Sequence, residues 1–91
     1  MKSIKIKIRG KKYLLKAHSY RAIFLYEEMT GKPIGEMSSF KDQVTFLYCL
    51  LKAANDDFNY SFPDFIDMLE EDDSIFQDFA NLQMSDAEKK K

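Results

Sequence analysis

The side chains best able to do chemistry in this 91-residue chain are few and far apart. There is one histidine, His18, and one cysteine, Cys49. An active site built on either needs a nucleophile beside a base, a pair of acids, or a metal. His18 precedes Ser19 at what reads as a strand-to-helix junction, a place for a loop or capping role. Cys49 falls at the edge of an apolar helical stripe, where a thiol packs as a small hydrophobe. Among the acids, Asn55, Asp57 and Asn59 alternate as the first ligands of a calcium loop do. Tyr60, however, stands where that loop needs its glycine and Ile66 where it needs a bidentate glutamate. Glu70-Glu71-Asp72-Asp73 reads as the end of one helix and the cap of the next. No catalytic, cofactor-binding or metal-binding residue is assigned, and neither an enzyme nor a cofactor is expected.

The basic residues form the one other chemical pattern. Lys5, Lys7 and Arg9 recur at alternate positions, with Lys11, Lys12 and Lys16 close behind. A β-ribbon made from them presents a basic face able to contact the phosphates of a nucleic acid or to enter its groove, which is the alternative function. The rest of the chain argues against it: the net charge is −1, the pI is about 5.8, and Tyr13 is the only aromatic residue of the ribbon. Charge is lopsided, with eight Lys or Arg and no acid from Met1 to Tyr26, and ten acids and no Lys or Arg from Asp56 to Asp86. Such polarity either leaves two solvated faces or steers partners and aligns copies head to tail.

The elements that must position these groups follow from periodicity. Ile4, Ile6 and Ile8 alternate with Lys5, Lys7 and Arg9, and after a turn at Gly10-Lys11 the alternation resumes in Tyr13, Leu15 and Ala17, so a β-hairpin spans about residues 3–17. Ser19 is an N-cap for a helix over about 20–30. Gly31 closes that helix and Pro33 keeps it from resuming. On its wheel Tyr20, Ile23 and Phe24 point one way and Ala22, Leu25 and Met29 nearly the other, so it is expected to be touched on two sides.

A helix over about 40–54 follows, whose stripe of Phe40, Val44, Leu47, Leu51 and Ala54, widened by Phe46, Tyr48 and Leu50, is broad enough for a central helix. Ser61-Phe62-Pro63-Asp64 reads as a capping box, with Pro in the first turn, for a helix over about 62–71 whose Phe62, Phe65, Ile66 and Leu69 share a face. Asp73 or Ser74 caps a last helix over about 74–83 carrying Ile75, Phe76, Phe79 and Leu82 on one side. Residues 85–91 read as a frayed polar tail. The predicted fold is α+β: one domain, residues 1–84, with an N-terminal hairpin packed on a small bundle of three to four helices.

Size and composition agree. A chain of this length holds a single core that buries roughly 60–65 % of the surface its unfolded form exposes. Eight Phe and five Tyr supply large apolar area to that core. A lone cysteine forms no internal disulfide, and the basic start lacks the apolar block of a signal peptide. The expected location is therefore the cytoplasm, with no membrane partner.

The order of parts, with "IKIRGKKYLLKA", "LYEEMTGKPI", "FLYCLLKAA" and "SFPDFIDMLEE", resembles the tail assembly chaperones of long-tailed bacteriophages and prophages over roughly residues 4–82. The motifs that carry the likeness are the turn Gly10-Lys11-Lys12-Tyr13, the helix end Glu27 to Ile34, and an aromatic or Leu-rich helix before a Ser/Thr-capped one. The resemblance implies a small non-enzymatic protein, made in the cytoplasm of the bacterial host and absent from the mature virion. Such a protein binds the tape-measure protein and keeps it soluble until tail-tube subunits assemble around it. The tail-tube protein and a second copy of the chain are further expected partners, and no nucleotide is used. The family offers no catalytic residues to carry over. Many relatives also exist in a longer, frameshifted form, with which the terminal Lys89-Lys90-Lys91 is compatible. The partner-binding residues come from the helical wheel: Ala22, Leu25 and Met29, the second face of the first helix.

Overall fold

A computed structural model describes residues 3–89. Strands β1 (Ser3–Ile8) and β2 (Lys11–Lys16) pair antiparallel, Ile6 opposite Tyr13 and Ile8 opposite Lys11. They are followed by α1 (Tyr20–Thr30), a 3-10 turn (Ile34–Glu36), α2 (Phe40–Ala54), α3 (Phe62–Glu71) and α4 (Ser74–Lys89). The fold is α+β, a two-stranded hairpin followed by four helices.

The hairpin turns through two residues, Arg9 at φ 51° and Gly10 at φ 82°, the pair of positive φ values that matches a tight turn to the twist of the strands. Alternation then puts Ile6, Ile8, Tyr13 and Leu15 on the core face and Lys5, Lys7, Lys12 and Lys16 on the other. An isolated hairpin of this size is marginal in water, so its apolar face must be covered. Helices α2 and α4 cover it.

Ser19 caps α1, its Oγ accepting the Ala22 amide at 3.2 Å. Gly31, at φ 73°, ends the helix with its N–H on the Glu27 carbonyl at 2.8 Å, and Glu27 Oε2 accepts the Ile34 amide at 3.1 Å. The Gly31-Lys32-Pro33 stop therefore turns the chain sharply into the 3-10 turn. From Val44 to Leu51 every residue of α2 is buried, as a central helix requires. Its start is held by a full capping box, Ser39 Oγ accepting the Asp42 amide at 3.1 Å and Asp42 Oδ2 accepting the Ser39 amide at 3.3 Å. Only half of the box expected at Ser61 forms: Ser61 Oγ accepts the Asp64 amide at 3.3 Å.

Between α2 and α3 the chain folds back around Phe58, which is buried edge-on against Tyr13, Tyr48 and Phe65. Tyr48 Oη donates to the Tyr60 carbonyl at 2.6 Å and fixes the loop. On α4, Ile75, Phe79 and Leu82 are buried. This helix runs to Lys89 instead of stopping near 83, because Ser85 to Lys89 contains no Gly or Pro to end it. The backbone of 85–89, expected to fray, is thus helical, and Lys90 and Lys91 of the expected tail lie outside the described residues. No described helix is long and apolar enough to cross a membrane.

Candidate interaction surfaces

The two sides of α1 read from its wheel do not separate core from solvent: Ile23, grouped with Tyr20 and Phe24, packs against the core, and each side carries both packed and exposed residues. Ala22 is 0 % exposed and, with Tyr26, faces the core; Leu25 is half-buried against it. Met29, 43 % exposed, sits on the rim with its sulfur 3.7 Å from Cys49 Sγ. The side turned to solvent carries Tyr20 and Phe24, 75 % and 67 % exposed. The physical reason is Tyr26, four residues beyond Ala22 and so on the same face, whose ring packs edge-on at 6.0 Å from Phe46. The small Ala22 side chain lets α2 approach while Tyr26 fills the space beside it. Ala22 is therefore not available to a partner, and the accessible apolar group on α1 is Tyr20 with Phe24.

A second apolar surface lies where α2, α3 and α4 meet. Phe40, placed in the core stripe by periodicity, is 66 % exposed and packs at a tilt against Phe76 at a centroid distance of 4.9 Å. With Val44, Ile66 and Leu69 these rings floor a groove of about 770 Å³ whose edge is Glu70, Glu71, Asp72 and Asp73. The acids are partly engaged: Glu71 pairs with Arg9 at 3.2 Å, and Asp72 Oδ1 accepts the Ser74 amide at 3.0 Å; the Ser74 hydroxyl first, then that amide, holds the Asp72 carboxyl below the ordinary range. A smaller hollow of about 380 Å³ lies between the 3-10 turn and α4, lined by Met37, Phe46, Phe79 and Met84.

The six basic residues divide into two sets. Arg9 at the hairpin tip is tied to Glu71, and Lys11 pairs with Asp57. Lys11 lies at the rim of the core face, opposite Ile8, and its ammonium is also 5.6 Å from the Tyr13 ring. Lys5, Lys7, Lys12 and Lys16 share the outer face of the hairpin and, among the described residues, make no ion pair.

The two edges of the hairpin also differ. Asn55, at the end of α2, spans the free edge of β2: its Oδ1 accepts the Leu14 amide at 3.0 Å, and its Nδ2 donates to the Leu14 carbonyl at 2.9 Å and to the Leu51 carbonyl at 2.9 Å. One side-chain amide thus stands in for the strand that β2 lacks. On the free edge of β1, the backbone groups of Lys5 and Lys7 have no such partner among the described residues.

His18 is exposed, its ring edge-on to Tyr20 at 6.2 Å. Cys49 is fully enclosed, and burial pushes its thiol up to about 12, where it holds its proton at any physiological pH. Among the described residues no three His, Cys, Asp or Glu side chains gather where they could hold a metal. Asn55 and Asp57 are instead used for the Leu14 edge and the Lys11 pair.

The most perturbed carboxyl is Asp42. Lys32 Nζ at 2.7 Å, then the amides of Ser38 and Ser39, hold it well below the usual carboxylate range. This site joins the stop after α1 to the start of α2 and is structural. Sequence reasoning missed it, although Ser39-Phe40-Lys41-Asp42 has the spacing of a capping box. Compared with protein-family models, with curated proteins and with solved structures, the chain matches none.

Proposed function

We propose that the protein is a phage or prophage tail assembly chaperone that acts without catalysis in the bacterial cytoplasm, binding the tape-measure protein and keeping it soluble. The observation that carries this reading is the aromatic surface left in solvent, above all Tyr20 and Phe24 on α1. Enclosing these two rings removes roughly 200–350 Å² of apolar surface from water, worth about 5–9 kcal/mol before the costs of association. A long helical client offers apolar stripes to which several copies can bind. The order of hairpin and helices, together with the resemblance over residues 4–82, supports the more specific identity.

The test is co-expression with the long helix-rich protein encoded next to this chain. Wild type brings that protein into the soluble fraction and co-purifies with it in several copies. Tyr20→Ser with Phe24→Ser abolishes this while leaving the melting temperature nearly unchanged, since exposed substitutions shift stability by only about 0.5 kcal/mol. A client that remains insoluble with the wild-type chain overturns the reading. A client still solubilised by the double variant moves the binding face elsewhere, and Met29→Asp then tests the rim of α1.

The outer lysines favour a second reading, binding of nucleic acid through Lys5, Lys7, Lys12 and Lys16; Arg9 and Lys11 are engaged by acids of the same chain. Four phosphate contacts would weaken binding by about two orders of magnitude between 50 and 200 mM salt, whereas apolar association changes little.

A further inference from the structure

We infer that the open edge of β1 is a docking site for an extended, acidic segment of a partner protein, which adds to the hairpin as a third strand. The register fixes which groups the edge offers. In an antiparallel ladder, alternate residues turn their N–H and C=O toward the neighbouring strand or away from it. The two-residue turn makes Ile8 and Lys11 the closing hydrogen-bonded pair, so Ile6 with Tyr13 and Ile4 with Leu15 are also bonded pairs. Lys5 and Lys7 therefore point their backbone groups outward on one edge, as Leu14 does on the other.

The Leu14 groups confirm the parity, because both are met by Asn55 from outside the hairpin. One edge is closed by a dedicated side chain and the other is left open, although unpaired strand edges invite association.

Charge selects the occupant. The side chains of Lys5 and Lys7 stand on the outer face beside Lys12 and Lys16, with no acid paired to any of them among the described residues. A second copy of β1 laid antiparallel on this edge would bring lysine against lysine, a pairing that like charges oppose. A strand with Glu or Asp at alternate positions places those acids over the lysines, while its intervening residues extend the Ile6 and Ile8 face. The partner segment is thus extended, with acids alternating with β-branched residues, and it is recognised by main-chain hydrogen bonds with lysines reading its charge. This inference stands on strand geometry and does not depend on the chaperone reading.

The experiment uses the full chain and a fluorescent peptide, Glu-Val-Glu-Val-Glu-Val-Glu, with amide hydrogen exchange and fluorescence anisotropy as readouts. In the free protein the Lys5 and Lys7 amides exchange rapidly while the Leu14 amide is protected. Added peptide binds saturably and protects Lys5 and Lys7. Methylating the alternate peptide nitrogens that face β1 removes hydrogen bonds without touching charge and weakens binding about tenfold or more. Lys5→Glu with Lys7→Glu, both exposed and compatible with the fold, abolishes it. Prior protection of Lys5 and Lys7 in the free protein, equal binding of the methylated peptide, or no saturable binding by about 1 mM peptide each overturns the proposal. So does an oligonucleotide that binds the lysine face while the peptide does not.

Discussion

Replacing Asn55 by Ala should be among the most damaging polar substitutions in the protein, although the residue is neither charged nor at the centre of the core. Three side-chain hydrogen bonds disappear, two to Leu14 and one to Leu51, at 2.9–3.0 Å. The α2 cap itself, the Asn55 amide on the Leu51 carbonyl at 3.1 Å, is a backbone contact and survives. At about 0.5–1.5 kcal/mol net for each bond, with water partly replacing the amide at a half-buried edge, the loss comes to about 2–3 kcal/mol. For a domain of this size that lowers the melting temperature by about 8–24 °C.

Thermal melts followed by circular dichroism measure the shift, and hydrogen exchange reports whether the Leu14 amide loses protection. Asn55→Asp sharpens the test. It keeps an acceptor for the Leu14 N–H but turns oxygen lone pairs toward both carbonyls that Nδ2 now satisfies, so near neutral pH it should recover only part of the loss. A melting temperature within about 2 °C of wild type for Asn55→Ala, or an unchanged exchange rate at Leu14, would refute the claim that Asn55 closes this edge.

Four further outcomes follow from single contacts. The Tyr26 hydroxyl is buried and, among the described residues, has no hydrogen-bond partner, so Tyr26→Phe should leave stability unchanged or raise it by about 1 kcal/mol, about 4–8 °C in a thermal melt; a clear fall would reveal a bond to that hydroxyl. Ser39→Ala should lower stability by about 1 kcal/mol through the lost cap on α2, measured by urea titration, and a change below about 0.3 kcal/mol would count against it. Asp42 has a depressed folded value, so its stabilising contact with Lys32 is complete above the ordinary carboxylate range and fades as the pH falls through it, below about pH 4. The melting-temperature gap between wild type and Asp42→Asn should therefore narrow on acidification, and a constant gap would contradict the assignment. Cys49, enclosed and with its thiol raised to about 12, should resist a thiol-specific alkylating reagent near pH 8 until the protein is unfolded in denaturant, and rapid labelling of the native chain would show the core open at α2.

The hairpin and the limits of α1, α2 and α3 were legible because each is written locally: strict alternation from Ile4 to Ile8, Ser19 and Ser61 at the starts of α1 and α3, Gly31 and Pro33 at a stop, and the broad apolar stripe of α2. The contacts that decide which surface is exposed were not local. A wheel divides the apolar residues of α1 into two sides but does not say which meets α2; the buried Tyr26, left out of both sides, would have pointed to the Ala22 side. Phe40 was assigned to the core because its spacing fits the α2 stripe, yet the first turn of that helix projects past the core and its ring meets Phe76 instead. The hydrogen bonds of Asn55 to Leu14 have no sequence signature, since the two residues are 41 positions apart. The lysine face was visible from alternation alone, whereas the engagement of Arg9 and Lys11 by acids much later in the chain became clear only in three dimensions.

Gln83 Nε2 donates to the Ala17 carbonyl at 2.7 Å across 66 positions of sequence, and Arg9 meets Glu71 across 62. The hairpin tip and the residue just after β2 are thus secured by groups on helices far along the chain. During synthesis the hairpin has no cover for Ile6 and Ile8 until α2 and then α4 emerge, and the loops that must close to bring them together are long, which slows folding. A chain cut before Ser74 would lose the helix that lies against β1, so the hairpin and α4 are expected to gain and lose their protection from hydrogen exchange together.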